Sequence, residues 1–130
     1  IGDTVGVIAR DSEGLLAAAT STGGCSHRPP GRVGDVPLPG SGFWVEGSVA
    51  VAATGIGEAI TCALLSNKVY ERIIASKEDS IESLSRAMNW GIESLIAPTH
   101  QVGLIALGSD GEGRGESNTD MPWATWCADL

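Results

Sequence analysis

The distribution of hydrophobic and polar residues at the start of the chain predicts a β-hairpin. Residues 4–10 (TVGVIAR) and 15–20 are mostly β-branched or apolar, and the polar residues 11–14 (DSEG) predict a turn between them. Polar residues hardly alternate with apolar ones in either run, so both faces of the hairpin are expected to be covered. Residues 23–42 contain six glycines and four prolines and predict a long loop, which is more often functional than idle.

The middle of the chain changes from strand to helix periodicity. Residues 43–46 and 48–54 read as two short strands, after which apolar residues recur at helical spacing in two stretches. This predicts two amphipathic helices that are separated near residues 76–80. Their apolar positions are Leu65, Val69 and Ile73 in the first, and Ile81, Leu84, Met88, Ile92 and Leu95 in the second.

The last third of the chain returns to strand patterns. Residues 101–107 predict a strand, residues 108–113 a turn and residues 115–121 a final strand. The order of strands, helices and strands predicts the α/β (α+β) class, with one sheet covered by helices on one side. Because the other face of this sheet is also apolar, we expect a further layer from a segment outside this chain.

Composition limits the classes of function. With 130 residues, 42% of them hydrophobic, residues 1–130 are expected to form a single domain with one core. The net charge of −8 comes with no basic cluster that could neutralise phosphates, so neither nucleic acid nor an anionic membrane is an expected partner. Three cysteines at irregular spacing, without a sequon or a leader, predict reduced thiols in a cytoplasmic protein.

Thr4 is the first candidate for catalysis. A threonine becomes a nucleophile when its own α-amino group serves as the general base, which requires cleavage of the bond between Asp3 and Thr4. If Thr4 begins one strand and Thr22 ends its antiparallel neighbour, the two hydroxyls lie side by side. The alternative is that both are ordinary β-branched strand residues.

Two glycine-rich motifs supply further candidates. In GRVGD, Arg32 could bind a substrate carboxylate and Asp35 a substrate ammonium, although an exposed Arg–Asp pair is the simpler interpretation. In TGIGE, residues 54–58, the Thr54 hydroxyl and free backbone N–H groups could face a developing oxyanion, although such a junction is usually only a tight turn. The histidines lack ligand-spaced partners, so no metal site is expected.

Taken together, these motifs resemble a known family. DTVG (3–6), AAATSTGG (17–24), GRVGD-x-P-x-x-G-x-G (31–42) and TG-x-GE (54–58) follow one another in the order and spacing of the isoaspartyl peptidase/L-asparaginase family of N-terminal-nucleophile (Ntn) hydrolases. The residues from 59 onwards add only a compatible pattern of helices and strands, with SNTDMPWA as a weaker match.

The resemblance implies a fold, a maturation step and a set of site residues. It implies half of an αββα sandwich, completed by an α-subunit that is not in this chain, in an (αβ)2 assembly. Residues 1–3 are then residual precursor residues before a self-cleavage site between Asp3 and Thr4. No cofactor is implied, apart from a structural cation in the α-subunit. The implied site residues are the nucleophile Thr4, the supporting Thr22, the substrate-binding Arg32, Asp35 and Gly57, and the oxyanion-hole residues Thr54 and Gly55.

The implied activity is that of a threonine-type amidohydrolase acting on L-asparagine and/or β-aspartyl (isoaspartyl) dipeptides. Asp3 departs from the glycine that plant-type asparaginases more often carry, and it resembles the glycosylasparaginase and taspase branches. Because Ile1-Gly2-Asp3 precede Thr4, its nitrogen is still in a peptide bond. The alternatives are therefore a taspase-like endopeptidase that cleaves after Asp, a glycosylasparaginase, or an unprocessed non-catalytic relative.

Overall fold

A computed structural model describes residues 3–78 and 80–128, and it confirms the mixed α+β class. The strands are β1 (Thr4–Arg10), β2 (Leu16–Thr22), β3 (Phe43–Glu46), β4 (Val49–Gly55), β5 (Val102–Leu107) and β6 (Gly113–Ser117). The helices are α1 (Gly57–Ala63), α2 (Leu65–Ser76) and α3 (Ile81–Leu95).

The strands of the described chain form two sheets, so the prediction of one sheet is wrong. β1 and β2 form a two-stranded antiparallel sheet, whereas β3, β4, β5 and β6 form a four-stranded antiparallel sheet in that order. The hairpin packs on the larger sheet through small residues, because a Cβ placed on Gly6 would lie 3.9 Å from the Cβ of Ala52. The two sheets therefore lie face to face, and the helices lie on the far side of the larger one.

β4 is the strand on which both layers pack. Val49, Val51 and Ala53 belong to the core that the larger sheet shares with the helices. Because side chains alternate along a strand, Ala50 and Ala52 point to the opposite face, where the hairpin covers them. All five residues are buried, which explains why this run shows no polar alternation.

The direction of the hairpin is fixed by its far end. A Cβ at Gly111, in the turn between β5 and β6, would lie 3.4 Å from Nη1 of Arg10. This turn follows Leu107, which pairs with Ala50 near the start of β4. The Arg10 end of β1 therefore lies toward the start of β4, and the Thr4 end lies toward its last residues.

Two helices were predicted, and the structure divides the first of them into two. The backbone of Leu64 is left-handed, with φ 49° and ψ 49°, so one helical stretch is divided into α1 and α2. α3 begins at a serine cap, where the Ser80 side chain accepts a hydrogen bond of 3.2 Å from the Ser83 N–H. None of the helices in the described ranges has the length and apolar character needed to cross a membrane.

Other predictions need correction at the edges. β6 covers Gly113–Ser117 and not residues 115–121, because the chain leaves the sheet at Asn118, whose side chain accepts from the Val102 N–H at 2.8 Å. The outer face of the hairpin is not covered by the described residues, since Val5 and Val7 are 65% and 61% exposed. Residues 23–42 form no helix and no named strand, as predicted.

The segment after β6 folds back over the larger sheet on the same face as the hairpin. Glycines in β5 and β6 make room for it: Gly103 faces Met121, and a Cβ at Gly115 would lie 2.5 Å from Cγ of Trp123. Gly103 is also the register partner of Thr54. The returning segment therefore lies beside the last residues of β4.

Gly115→Ala is expected to destabilise the purified protein, because the added methyl group overlaps the Trp123 ring. Overpacking of this kind typically costs about 1–3 kcal/mol. Gly6→Ala is the matched control, since its added carbon would have only ordinary contacts at 3.7 and 3.9 Å. Thermal unfolding measures both, and equal melting temperatures for the two variants would contradict this packing.

Candidate active site

The structure brings the two candidate threonines into contact. Thr4 and Thr22 are register partners in the hairpin, and their hydroxyl oxygens lie 2.9 Å apart, within hydrogen-bond distance. The Thr22 oxygen also accepts a hydrogen bond of 3.0 Å from the Gly24 N–H. The sequence TSTGG therefore supplies both the second hydroxyl and the backbone donor that orients it.

The peptide bond before Thr4 is held by the same hairpin. The Asp3 carbonyl oxygen accepts a hydrogen bond of 3.1 Å from the Gly23 N–H, which extends the ladder of β1 and β2 by one step. The carbonyl of the expected cleavage site is thus fixed beside the Thr4 hydroxyl. Ile1 and Gly2, which belong to the expected residual precursor segment, lie outside the described residues.

One hydrogen bond joins the hairpin to the glycine-rich loop. The Thr20 hydroxyl donates to the Val36 carbonyl oxygen at 3.0 Å. Thr20 lies on the same face of β2 as Thr22, and Val36 directly follows Asp35. The strand that carries the hydroxyl pair is therefore attached next to the candidate substrate-binding residues.

Arg32, Asp35 and Gly57 meet at the start of α1. A Cβ at Gly57 would lie 2.7 Å from Nη2 of Arg32 and 3.0 Å from Oδ1 of Asp35. Any larger residue would displace one of these two groups, so the glycine allows both charges to reach the same backbone position. The structure thus brings these three predicted residues together.

Asp35 is buried without a full set of partners. It is 4% exposed, and its Oδ2 has no hydrogen-bond partner among the described residues. Burial raises the pKa of its carboxyl group, and this outweighs backbone N–H groups and the Arg32 charge, which act in the opposite direction. A buried carboxylate oxygen without a donor is suited to a cationic ligand group.

Glu58 is a residue of this site to which the sequence analysis gave no role. Its two carboxylate oxygens accept from Nε and Nη2 of Arg32 at 2.7 and 3.1 Å. This hydrogen-bonded pair raises the pKa of Arg32 and lowers the pKa of Glu58. The only signal in the sequence was the acidic residue after Gly57 in TGIGE, whose partner is 26 positions away.

Thr54 and Gly55 end β4 on the side of the hairpin. Thr54 follows Ala50 and Ala52 at strand spacing, so its side chain points toward the hairpin face. The Ile56 N–H donates to the Gln101 carbonyl at 3.0 Å, and alternation along an antiparallel pair then directs the Gly55 N–H away from β5. β3 lies on that side, but its first residue, Phe43, pairs with Ala52. The Gly55 N–H therefore points past the end of β3.

The backbone of Gly55 also requires glycine. Its φ is 137°, in a region that other residues rarely adopt, and an added Cβ would overlap the Gln101 carbonyl oxygen. The end of β4 is therefore a fixed feature of the site and not an arbitrary turn. No cluster of His, Cys, Asp and Glu suitable for a metal ion occurs within residues 3–78 and 80–128.

The arrangement has two parts at one end of the two packed sheets. The first is the hydroxyl pair of Thr4 and Thr22, beside a fixed carbonyl. The second contains a cation, a buried carboxylate and Gly57, at the junction of β4 and α1. Together they present two hydroxyls in contact, an N–H that points away from the ladder, and two opposite charges close to one backbone position.

Comparison with known proteins identifies the family that the sequence motifs resemble. The asparaginase family Asparaginase_2 matches residues 1–129. A plant-type L-asparaginase from Pyrobaculum calidifontis is 50% identical over 101 residues, which cover 72% of this chain and 34% of that protein. The isoaspartyl peptidase of Escherichia coli is 39% identical over 124 residues, 95% of this chain and 38% of that protein. The isoaspartyl peptidase/L-asparaginase of Bos taurus is 38% identical over 124 residues, 93% of this chain and 39% of that protein.

The chain therefore belongs to the Asparaginase_2 family, and the resemblance stated from its motifs is confirmed. It spans 34 to 39% of the length of these relatives.

Asp35→Asn is expected to change how stability depends on pH. Because the native pKa of Asp35 is raised, the native protein keeps this proton to higher pH than the unfolded chain. The free energy of unfolding therefore falls as the pH rises from the ordinary aspartate pKa of about 3.9 through the raised value. Above that interval the ionised carboxylate of Asp35 destabilises the folded protein.

Chemical unfolding of the wild type and Asp35→Asn at a series of pH values measures this effect. The wild type should lose stability relative to the variant across the interval. A difference that stays constant from about pH 4 to pH 8 would contradict a raised pKa of Asp35.

Proposed function

We propose that residues 1–130 are the β-subunit region, a single domain, of an Ntn threonine amidohydrolase that hydrolyses L-asparagine and/or β-aspartyl dipeptides. The observation that carries this proposal is the 2.9 Å contact of the Thr4 and Thr22 hydroxyls next to the Asp3–Thr4 bond. The charges of Arg32 and Asp35 support it, because an amino-acid head group carries a carboxylate and an ammonium. Relatives named isoaspartyl peptidase and L-asparaginase support the same choice of substrate.

The hydrolysis proceeds in two halves. Arg32 binds the α-carboxylate and Asp35 the α-ammonium, which brings the side-chain carbonyl to Thr4. The Thr4 oxygen attacks that carbonyl carbon, and the free α-amine of Thr4 takes the proton and returns it to the leaving ammonia or amino acid. Thr54 and the Gly55 N–H stabilise the oxyanion. Water, deprotonated by the same amine, then attacks the ester and releases aspartate.

Self-cleavage frees the amine that this mechanism requires. The Thr4 hydroxyl attacks the Asp3 carbonyl carbon, its proton passes to the Thr4 nitrogen, and the C–N bond breaks to leave an ester. Water hydrolyses the ester and leaves Asp3 with a carboxylate and Thr4 with a free amino group. The hydrogen bonds from Gly23 to the Asp3 carbonyl and between the threonine hydroxyls support this step.

The proposed assembly contains the α-subunit, which is the N-terminal part of the same precursor. It would complete the αββα sandwich over the exposed face of the hairpin, in an (αβ)2 assembly. The reaction needs no cofactor, because hydroxyl and amine supply the chemistry, and a structural cation belongs to the α-subunit. The proposed compartment is the cytoplasm, in keeping with the free thiols of Cys25, Cys62 and Cys127.

Variants of the two threonines test self-cleavage. In the full-length precursor, Thr4→Ala should abolish cleavage, and Thr22→Val should slow it because the partner hydroxyl is lost. Thr99→Val is the matched control, since it removes the hydroxyl of an exposed threonine in the turn before β5, outside the hairpin. Intact mass of the purified chains measures the products, which should include a chain that begins at Thr4. Normal cleavage of Thr4→Ala would exclude this residue as the nucleophile.

Assays with four substrates test the activity. The cleaved protein should release ammonia from L-asparagine or aspartate from a β-aspartyl dipeptide, and Thr54→Ala should lower kcat by about 10²- to 10³-fold as an oxyanion donor is lost. Turnover of a glycosylated asparagine alone would favour a glycosylasparaginase, and cleavage of a protein after aspartate would favour a taspase-like endopeptidase. A precursor that never cleaves would favour a non-catalytic relative.

A further inference from the structure

Arg32 and Asp35 do not form an ion pair with each other in the described structure. The guanidinium of Arg32 instead makes a two-point contact with Glu58, from Nε at 2.7 Å and from Nη2 at 3.1 Å. Asp35 remains buried, and its Oδ2 has no partner in the described part of the chain. Two opposite charges that could neutralise each other are thus kept apart.

The contact also fixes the orientation of the guanidinium. A guanidinium has five N–H donors in one plane, and Glu58 uses Nε and one side of Nη2. Nη1 lies 2.7 Å from the position of a Cβ at Gly34, and Nη2 lies equally close to that of Gly57. Because neither glycine carries a side chain, the backbone leaves the guanidinium room to turn, and the two-point contact with Glu58 holds it in this orientation. Nη1 and the remaining N–H of Nη2 are then the donors left for a substrate.

We propose that Glu58 is a positioning residue that holds Arg32 away from Asp35, so that both charges stay available for the carboxylate and the ammonium of the substrate. This inference rests on the function proposed above. Without Glu58, Arg32 would turn toward the unpartnered Asp35, and the substrate would have to separate this new pair before it could bind. The effect of Glu58 therefore falls on substrate binding and passes through Arg32.

The charge of Glu58 has an opposing effect, because it repels a substrate carboxylate on the other side of Arg32. The side chain of Glu58 is 66% exposed, so solvent screens this repulsion. The hydrogen bonds to Arg32 are short and directional. Positioning should therefore outweigh repulsion, and removing Glu58 should weaken binding of the substrate head group.

The test uses the full-length protein after self-cleavage, with Glu58→Ala and Glu58→Gln. Glu58→Ala should raise KM for L-asparagine about tenfold, as expected when a charged hydrogen bond is lost, with kcat within about twofold of the wild type. Glu58→Gln should have a KM between those of the wild type and Glu58→Ala, because its amide oxygen can still accept from Nε of Arg32. Glu71→Ala is the control for loss of a surface carboxylate, since Glu71 is exposed and pairs with exposed Lys68 at 3.6 Å.

A second substrate separates positioning from general damage to the fold. Propanamide is L-asparagine without both its α-carboxylate and its α-ammonium, so it binds neither Arg32 nor Asp35. Its kcat/KM should be the same for wild type and Glu58→Ala. Equal losses on both substrates, or a KM for L-asparagine that is unchanged or lower in Glu58→Ala, would overturn the role of Glu58. Failure of the wild type to hydrolyse any substrate would instead contradict the proposed function itself.

If Glu58→Ala does not cleave itself or does not fold, Glu58→Gln answers the same question. Competitive inhibition by L-aspartate and by propanoate, which lacks both the α-carboxylate and the α-ammonium, is then compared in Glu58→Gln and the wild type. If L-aspartate inhibits Glu58→Gln more weakly than the wild type while propanoate inhibits both equally, positioning by Glu58 is supported. Equal inhibition constants for L-aspartate in the two proteins overturn it.

Discussion

Burial of β4 on both faces is the constraint on which the rest of the structure depends. From Val49 to Ala53 the strand has only small or aliphatic side chains, and it must be covered by helices on one side and by the hairpin on the other. Hydrophobic burial of this kind is the main favourable contribution to folding. The double burial ends at Thr54, which is the first residue of the strand whose side chain can take part in polar chemistry. The site thus lies where the packed interior gives way to solvent.

The two parts of the site are held by different elements and are joined by few contacts. The hairpin carries the hydroxyl pair, while the loop before β3 and the first turn of α1 carry the charges. The hydrogen bond from Thr20 to Val36 is a direct link between them. Catalytic geometry requires reacting groups to be held within a fraction of an ångström, so residues that support such links matter as much as those that touch substrate.

The sequence predicted the local elements well and their layering poorly. The alternation of Thr20 and Thr22 led to the correct pairing with Thr4, because strand register is a local property. The second sheet was missed because its contact is made by Gly6 and Ala52, which leave no distinctive pattern. The division of the first helical stretch into α1 and α2 was missed, because the apolar spacing does not reveal the left-handed backbone of Leu64. The pairing of Glu58 with Arg32 could not be predicted, because the spacing of residues in a glycine-rich loop does not show which distant side chain each of them contacts.

The hydrogen bond from the Gly23 N–H to the Asp3 carbonyl has a different role before and after the proposed cleavage. In the uncut chain it is an ordinary rung at the end of an antiparallel ladder. The proposed cleavage before Thr4 would turn the acceptor into a carboxylate on a chain end that is free to leave, and the Gly23 N–H would lose this acceptor. Maturation would thus convert a folding contact into an unoccupied donor beside the new amino terminus. Under the proposed cleavage, the strand pairing of the uncut chain would also prepare the space that water and substrate enter.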